Sequence, residues 1–306
     1  MSESTLDIQD RQQSFDLLNK VVKRAEFGIR AVSIMYDEHS DDQFAKDNIY
    51  RLKDNIFYRL QLILIQYRIL IQEFYRNEHY LNELNEKEPG ALFSQGFNPH
   101  LHSTTLDITS VFDGIIFQIV SVFDYFSHYI SYVILKNKQN TLYWTKLAKA
   151  SYGKDNEISK LQIKEVIKTA DNKFIGRLYD YRSNLIHNKL DSPISIVSIP
   201  MGEKGQVVLK TSISNDLQKK FKSYFNDSTI KNITVLYFTE FLINETSTII
   251  ESVLSGLVVE IKSQSHYSQN LASRKKLMIG HLDPETKTFM RISDKFWSDY
   301  LNNKVE

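Results

Sequence analysis

Tyr179-Asp180-Tyr181-Arg182-Ser183-Asn184-Leu185-Ile186-His187-Asn188-Lys189 puts a permanent cation, an amide and a titratable base into one short span near the end of an expected helix. Histidine exchanges its proton near neutral pH, and a guanidinium holds phosphate oxygens in pairs. These types suit RNA cleavage without a metal. A base removes the proton of a 2′-hydroxyl, that oxygen attacks the adjacent phosphorus, and a cation holds the extra negative charge of the phosphorane. Asn184 is suited to hydrogen-bond a phosphate or to fix the imidazole tautomer. Residues five apart on a helix differ by about 140° in azimuth and about 7.5 Å in height. Arg182 and His187 therefore converge only across a groove, through the reach of arginine, by distortion at the helix end, or between two copies of the helix. That geometry favours a site shared between partners. The alternative is structural: cations are favoured at a helix C-terminus whatever the protein does.

Other residues offer weaker chemistry. Asp124 and His128 lie four apart on one face of a very apolar segment. A carboxylate there is costly unless paired, so Asp124 either bonds to another helix or orients a cationic site residue. His100 and His102 form an H-x-H pair in an expected loop, but no Cys, Asp or Glu stands close enough in sequence to complete a zinc set. No metal site and no cofactor is expected. The chain has no phosphate-binding glycine loop, no H-E-x-x-H helix and no G-x-S-x-G elbow.

The elements that must position these residues are helical. Only 10 glycines and 5 prolines occur in 306 residues, leaving long stretches free of helix breakers. Apolar residues recur at three- and four-residue steps from about Asp10 to Tyr36 and from about Asp42 to Glu88, which predicts a long antiparallel helical hairpin. The middle of its second arm, Phe57 to Phe74, is apolar on most sides. Arg59, Gln61, Gln66, Arg68 and Gln72 break it, and charge at a bilayer centre costs several kcal/mol, so it is read as a buried or partner-packing helix. After Pro89-Gly90 and Gly96-Phe97-Asn98-Pro99, the caps Ser103 to Thr105 open a helix reaching Lys138. Short helices are expected from Tyr143 to Gly153, Glu157 to Thr169 and Asp171 to Lys189. In the last of these, Phe174, Leu178, Tyr181 and Leu185 share the apolar face. Ile194 to Ile199 and Gln206 to Lys210, around a glycine-containing turn, predict a small β-hairpin. A short helix from Asn215 to Phe225 and a long one from Ile230 to Lys262 follow. The tail from Ser263 carries Arg274-Lys275-Lys276 and several aromatics. It either docks on its own domain or contacts single-stranded nucleic acid.

Composition narrows the classes. Hydrophobic residues make up 42% and charged residues 25%, a globular balance. A net charge of +1 gives no overall field towards nucleic acid or membrane, so any such binding needs a local patch. Without cysteine there is no disulfide framework and no thiolate chemistry. The polar, acidic stretch after Met1 lacks the pattern of a signal peptide. The Asn-x-Ser/Thr triplets at Asn226, Asn232 and Asn244 are then accidental. The expectation is a cytoplasmic protein without a membrane span.

Arg182-Ser183-Asn184-Leu185-Ile186-His187 resembles the R-x-x-x-x-H signature of HEPN domains (higher eukaryote and prokaryote nucleotide-binding). The likeness covers about Thr104 to Lys189, with a long apolar helix bearing Asp124, shorter helices, then the motif near a helix end. It implies an all-α helical bundle of HEPN type, with the N-terminal hairpin and the β-hairpin near 194–210 as additions. The domains read as 1–90, 91–262 and 263–306. The resemblance also implies a metal-independent endoribonuclease of a phage-defence or toxin–antitoxin system. Its motifs would face each other across a homodimer. RNA (tRNA among the candidates) would be the substrate, and a separate antitoxin or regulatory protein a further partner. By carry-over Arg182 binds the scissile phosphate, His187 is the general acid or base, Asn184 assists and Asp124 supports. Tyr181, Ser183 and Lys189 would contact substrate. Ser183 stands where many active members carry Asn, Asp or His. The other reading is a non-catalytic HEPN-like binding or interaction protein.

Overall fold

The computed structural model describes residues 4–39, 49–88, 92, 98–135, 142–187, 193–198, 206–225, 230–264, 280–282, 287 and 289–302. The fold is all-α, and among the described residues strands occur only in short pairs. The chain divides into two compact units. The first comprises Met1–Asn19, Gln61–Val120 and Arg177–Asn244, and the second Lys20–Leu60, Ser121–Gly176 and Glu245–Glu306. Helices α1 (Arg11–His39), α2 (Ile49–Lys87), α3 (Asn98–Leu135) and α8 (Val235–Gln264) each give residues to both.

Within the first unit α1 and α2 run antiparallel: Ser14 meets Tyr67 at 2.8 Å, and Arg11 grips Glu78 through two hydrogen bonds of 2.6 and 2.8 Å. Arg11 also lies over the rings of Phe74 and Tyr75. The core gathers Leu64, Leu70 and Phe74 of α2, Ile108, Phe112 and Ile115 of α3, Leu178 of α6 (Gly176–His187), and Phe238 and Leu242 of α8. The expected β-hairpin is formed by β2 (Ile194–Ser198) and β3 (Val208–Ser212), paired antiparallel from Ile194↔Ser212 to Ser198↔Val208. It is fastened to α2. Asn82 accepts the Val207 N–H at 2.7 Å and donates to the Val207 carbonyl, while Glu78 accepts the Leu209 N–H at 3.0 Å. These two side chains, one helical turn apart, satisfy backbone groups that an edge strand otherwise leaves open.

Three expectations on element boundaries are corrected. Ile230–Ile233 is not the start of a helix but strand β4, parallel to β1 (Ser4–Leu6). Helix α8 begins after it because Thr234 caps the Tyr237 N–H at 3.3 Å and gives its own N–H to the Leu6 carbonyl. Helix α3 starts at Asn98 rather than Ser103, since Pro99 suits a first helical turn whose N–H groups have no helical partner. His100 and His102 are therefore helical, not loop, residues. At about 200° apart they point to different sides, and His100 lies against the Tyr80 ring at 4.5 Å. The helices expected on either side of Ala170 are continuous. After a 3₁₀ turn at Ile158–Lys160, α5 (Lys164–Ala170) passes through a π-helical turn, Asp171–Ile175, into α6.

In the second unit the apolar faces of α1 (Val22, Ile29, Val32), α3 (Phe123, Phe126, Tyr129) and α8 (Ile250, Leu254, Leu257) form the core, joined by Trp144 of α4 (Trp144–Tyr152). The Trp144 indole N–H bonds Asp171 Oδ1 at 2.9 Å and so anchors the π turn. The tail docks. After the pair β5 (Gly280–Leu282) and β6 (Phe289–Arg291), helix α9 (Ile292–Leu301) buries Trp297 and Tyr300. Phe296 lies 5.6 Å from Phe27, Lys262 pairs with Asp294 at 2.9 Å, and Ser293 hydrogen-bonds Glu38. The basic triplet 274–276 lies outside the described residues. By length and composition alone, α3 over Pro99–Leu135 and α8 over Val235–Ser263 would be long enough to cross a membrane. Both give their apolar side chains to the cores.

Candidate functional site

Helix α6 is held from within by Leu178 and Tyr181, both buried, with the remaining positions distributed around an open outer surface. Asp180, Ser183, Asn184, Ile186 and His187 are exposed, and Arg182 is half-buried. Tyr181, at 4% exposure, belongs to the inner face and keeps its ring from the surface where a substrate would lie. Lys189 lies outside the described residues.

The two motif residues occupy opposite flanks. Arg182 rests over the Phe117 ring of α3, 5.5 Å from its centroid. This cation–π contact is worth about 0.5–1 kcal/mol, and it holds the half-buried guanidinium against α3. The other flank carries Arg177 and Asp180. Arg177 donates to the Lys220 carbonyl at 2.8 Å and to Ser223 Oγ at 2.7 Å, while Asp180 lies 3.9 Å from Lys220 Nζ. Seven residues bring a helix back to within about 20° of its starting azimuth. Asn184 therefore follows Arg177, and His187 follows Asp180, on the side that meets α7 (Asn215–Lys220). Among the described residues no hydrogen bond orients the His187 ring. The helix thus carries the His187 imidazole and the Arg182 guanidinium about 140° apart, as the spacing demands.

Asp124 belongs to the second unit and Arg182 and His187 to the first. One turn beyond Asp124, the His128 ring meets Tyr143 edge-on at 4.9 Å and Tyr125 at 6.4 Å. Its Nε2 is buried with no hydrogen-bond partner among the described residues. Burial lowers the His128 pKa below the ordinary value, and the Asp124 charge opposes that shift only in part. The ring is therefore neutral at pH 7.

Sequence reasoning missed two features. One is an open depression of about 260 Å³ in the first unit, lined in part by Asp7, Asp10, Ser14, Tyr237 and Glu240. Its carboxylates are engaged: Asp7 with Thr234 and Lys210, Asp10 with the Gln13 N–H, and Glu240 with Ser14. The other is the basic end of α7, Lys219, Lys220 and Lys222, which Arg177 fastens to α6. Its residues stand more than thirty positions after the motif, and no spacing rule links them to it. Among the described residues no three His, Asp or Glu side chains gather as a metal site. Comparison with known protein families, with characterised proteins and with solved structures finds no match to this chain.

Proposed function

We propose that the chain is a HEPN-type, metal-independent endoribonuclease that acts as a homodimer in the cytoplasm, in phage defence or a toxin–antitoxin system. The observation that carries this reading is the R-x-x-x-x-H motif on the outer side of α6, with Arg182 and His187 turned to opposite flanks. One copy does not bring both groups to a single phosphate, whereas two copies of α6 facing each other do. His187 then takes the 2′-hydroxyl proton, or gives a proton to the leaving 5′-oxygen. Arg182 neutralises the charge that builds on the equatorial oxygens. The products are a 2′,3′-cyclic phosphate and a 5′-hydroxyl.

Total RNA and tRNA incubated with the protein in EDTA test this directly. Wild type cleaves, leaving cyclic phosphate ends, while Arg182→Ala and His187→Ala do not, and the particle mass is that of a dimer. Mixing the two inactive variants restores about a quarter of the activity, because half of the dimers are mixed and each has one intact site of two. Cleavage by a monomer, or by both variants, would exclude the shared site.

A further inference from the structure

The flank of α6 that carries His187 adjoins a concentration of positive charge. Apart from Arg182, residues 176–187 and 215–224 hold four cations and two anions, a formal charge of +2 in a chain whose total is +1. The rest of the chain is therefore net negative, and this surface is a patch rather than a sample of the average. Arg182, over Phe117, lies on the other flank. Arg177, Lys219, Lys220 and Lys222 remain on this one. Lys219 and Lys222 are exposed, and the Arg177 hydrogen bonds to the Lys220 carbonyl and Ser223 fix the end of α7 against α6. Lysines in a helix's last turn also complement its dipole. Lys222 and Arg177 lie outside that turn of α7, so the dipole leaves half of the patch without a cause.

We propose that this α6–α7 flank is a track for the phosphate backbone of single-stranded RNA, leading the strand past Asn184 to His187. The inference rests on RNA being the substrate of the α6 site. It adds the residues that hold the strand beside the scissile position. Exposed lysines on short stems of structure bind phosphates without base preference and release counterions as they do so. The track therefore sets affinity and salt dependence, not cleavage chemistry.

The test measures binding of a fluorescent single-stranded RNA of about 12 nucleotides by anisotropy, in EDTA and on the His187→Ala background so that no strand is cut. Lys219→Gln/Lys222→Gln weakens binding about tenfold at 100 mM salt and flattens the slope of log K against log salt by about 1.4, two lost phosphate contacts on a single strand. Lys20→Gln/Lys23→Gln, an exposed pair on α1, leaves both unchanged. Equal losses in the two pairs, an unaltered slope in the first, or no RNA binding at low salt would each overturn the track. Two patterns separate its fate from that of the ribonuclease. Cleavage by wild type with unchanged binding in Lys219→Gln/Lys222→Gln removes the track alone. Track-dependent binding by a wild type that never cleaves removes the ribonuclease alone.

Discussion

His187 and His128 both sit on helices with a charged residue nearby, yet their surroundings give them opposite capacities. His187 ends α6 in the open, and among the described residues no hydrogen bond holds its ring. His128 is enclosed by Tyr125 and Tyr143, with a buried nitrogen and a depressed pKa. The arginines divide in the same way. Arg11, with 14% of its side chain exposed, is bound by both Glu78 oxygens and two rings, whereas Arg182 is held by a ring face. Burial opposes the charge on Arg11, but its hydrogen bond to and Coulomb attraction from Glu78 prevail and raise its pKa above the ordinary arginine value. The contrast is one of burial: His128 and Arg11 are shut in by neighbouring side chains, whereas His187 is exposed and Arg182 half-exposed.

The sharpest way to break this contrast is to remove each histidine in turn. His187→Ala is expected to lower the RNA cleavage rate about 10²- to 10⁴-fold, the usual contribution of a positioned acid or base, while His128→Ala leaves it unchanged. Loss of activity in His128→Ala, in protein whose far-ultraviolet dichroism is intact, would erase the distinction. The arginine contrast comes next. Arg11→Met leaves the Glu78 carboxylate buried without its cation and should cost about 3–5 kcal/mol in urea unfolding. Arg182→Met, at a half-exposed position, should cost less stability, and a comparable cost at both positions would contradict the division.

A smaller effect tests the close packing of the second unit. A methyl group added at Gly28 would lie 2.9 Å from the Tyr300 ring, so Gly28→Ala forces α9 or the ring to shift, at a cost of about 1–3 kcal/mol. Limited proteolysis of the tail should accelerate in that variant. An unaltered digestion pattern would mean that the docked helix tolerates the methyl group. The smallest effect concerns pH. Because the folded His128 pKa is below its unfolded value, the unfolded chain binds more protons between the two, and stability falls as pH drops below about 6.5. His128→Phe should lose that part of the slope when melting temperatures at pH 5 and 7.5 are compared. The same difference in both proteins would show that His128 does not titrate as its surroundings dictate.

Apolar periodicity determined much of this molecule without help. Three- and four-residue spacing located α1, α2 and α8, and β-branched runs located the β2–β3 hairpin, because a helix or strand must bury one face and its sequence records which one. The inward position of Tyr181 was also written in its spacing with Leu178 and Leu185. So was the angular separation of Arg182 from His187, which follows from the helix alone. The start of α8 was not legible: Ile230–Ile233 forms a strand because β1, more than two hundred residues earlier, offers it backbone partners. Nor was the α7 patch, which Arg177 fastens to α6 through the Lys220 carbonyl. Local sequence sets periodicity and propensity. Which distant backbone or side chain completes a hydrogen bond, and which charge loses its water, is decided when the chain packs.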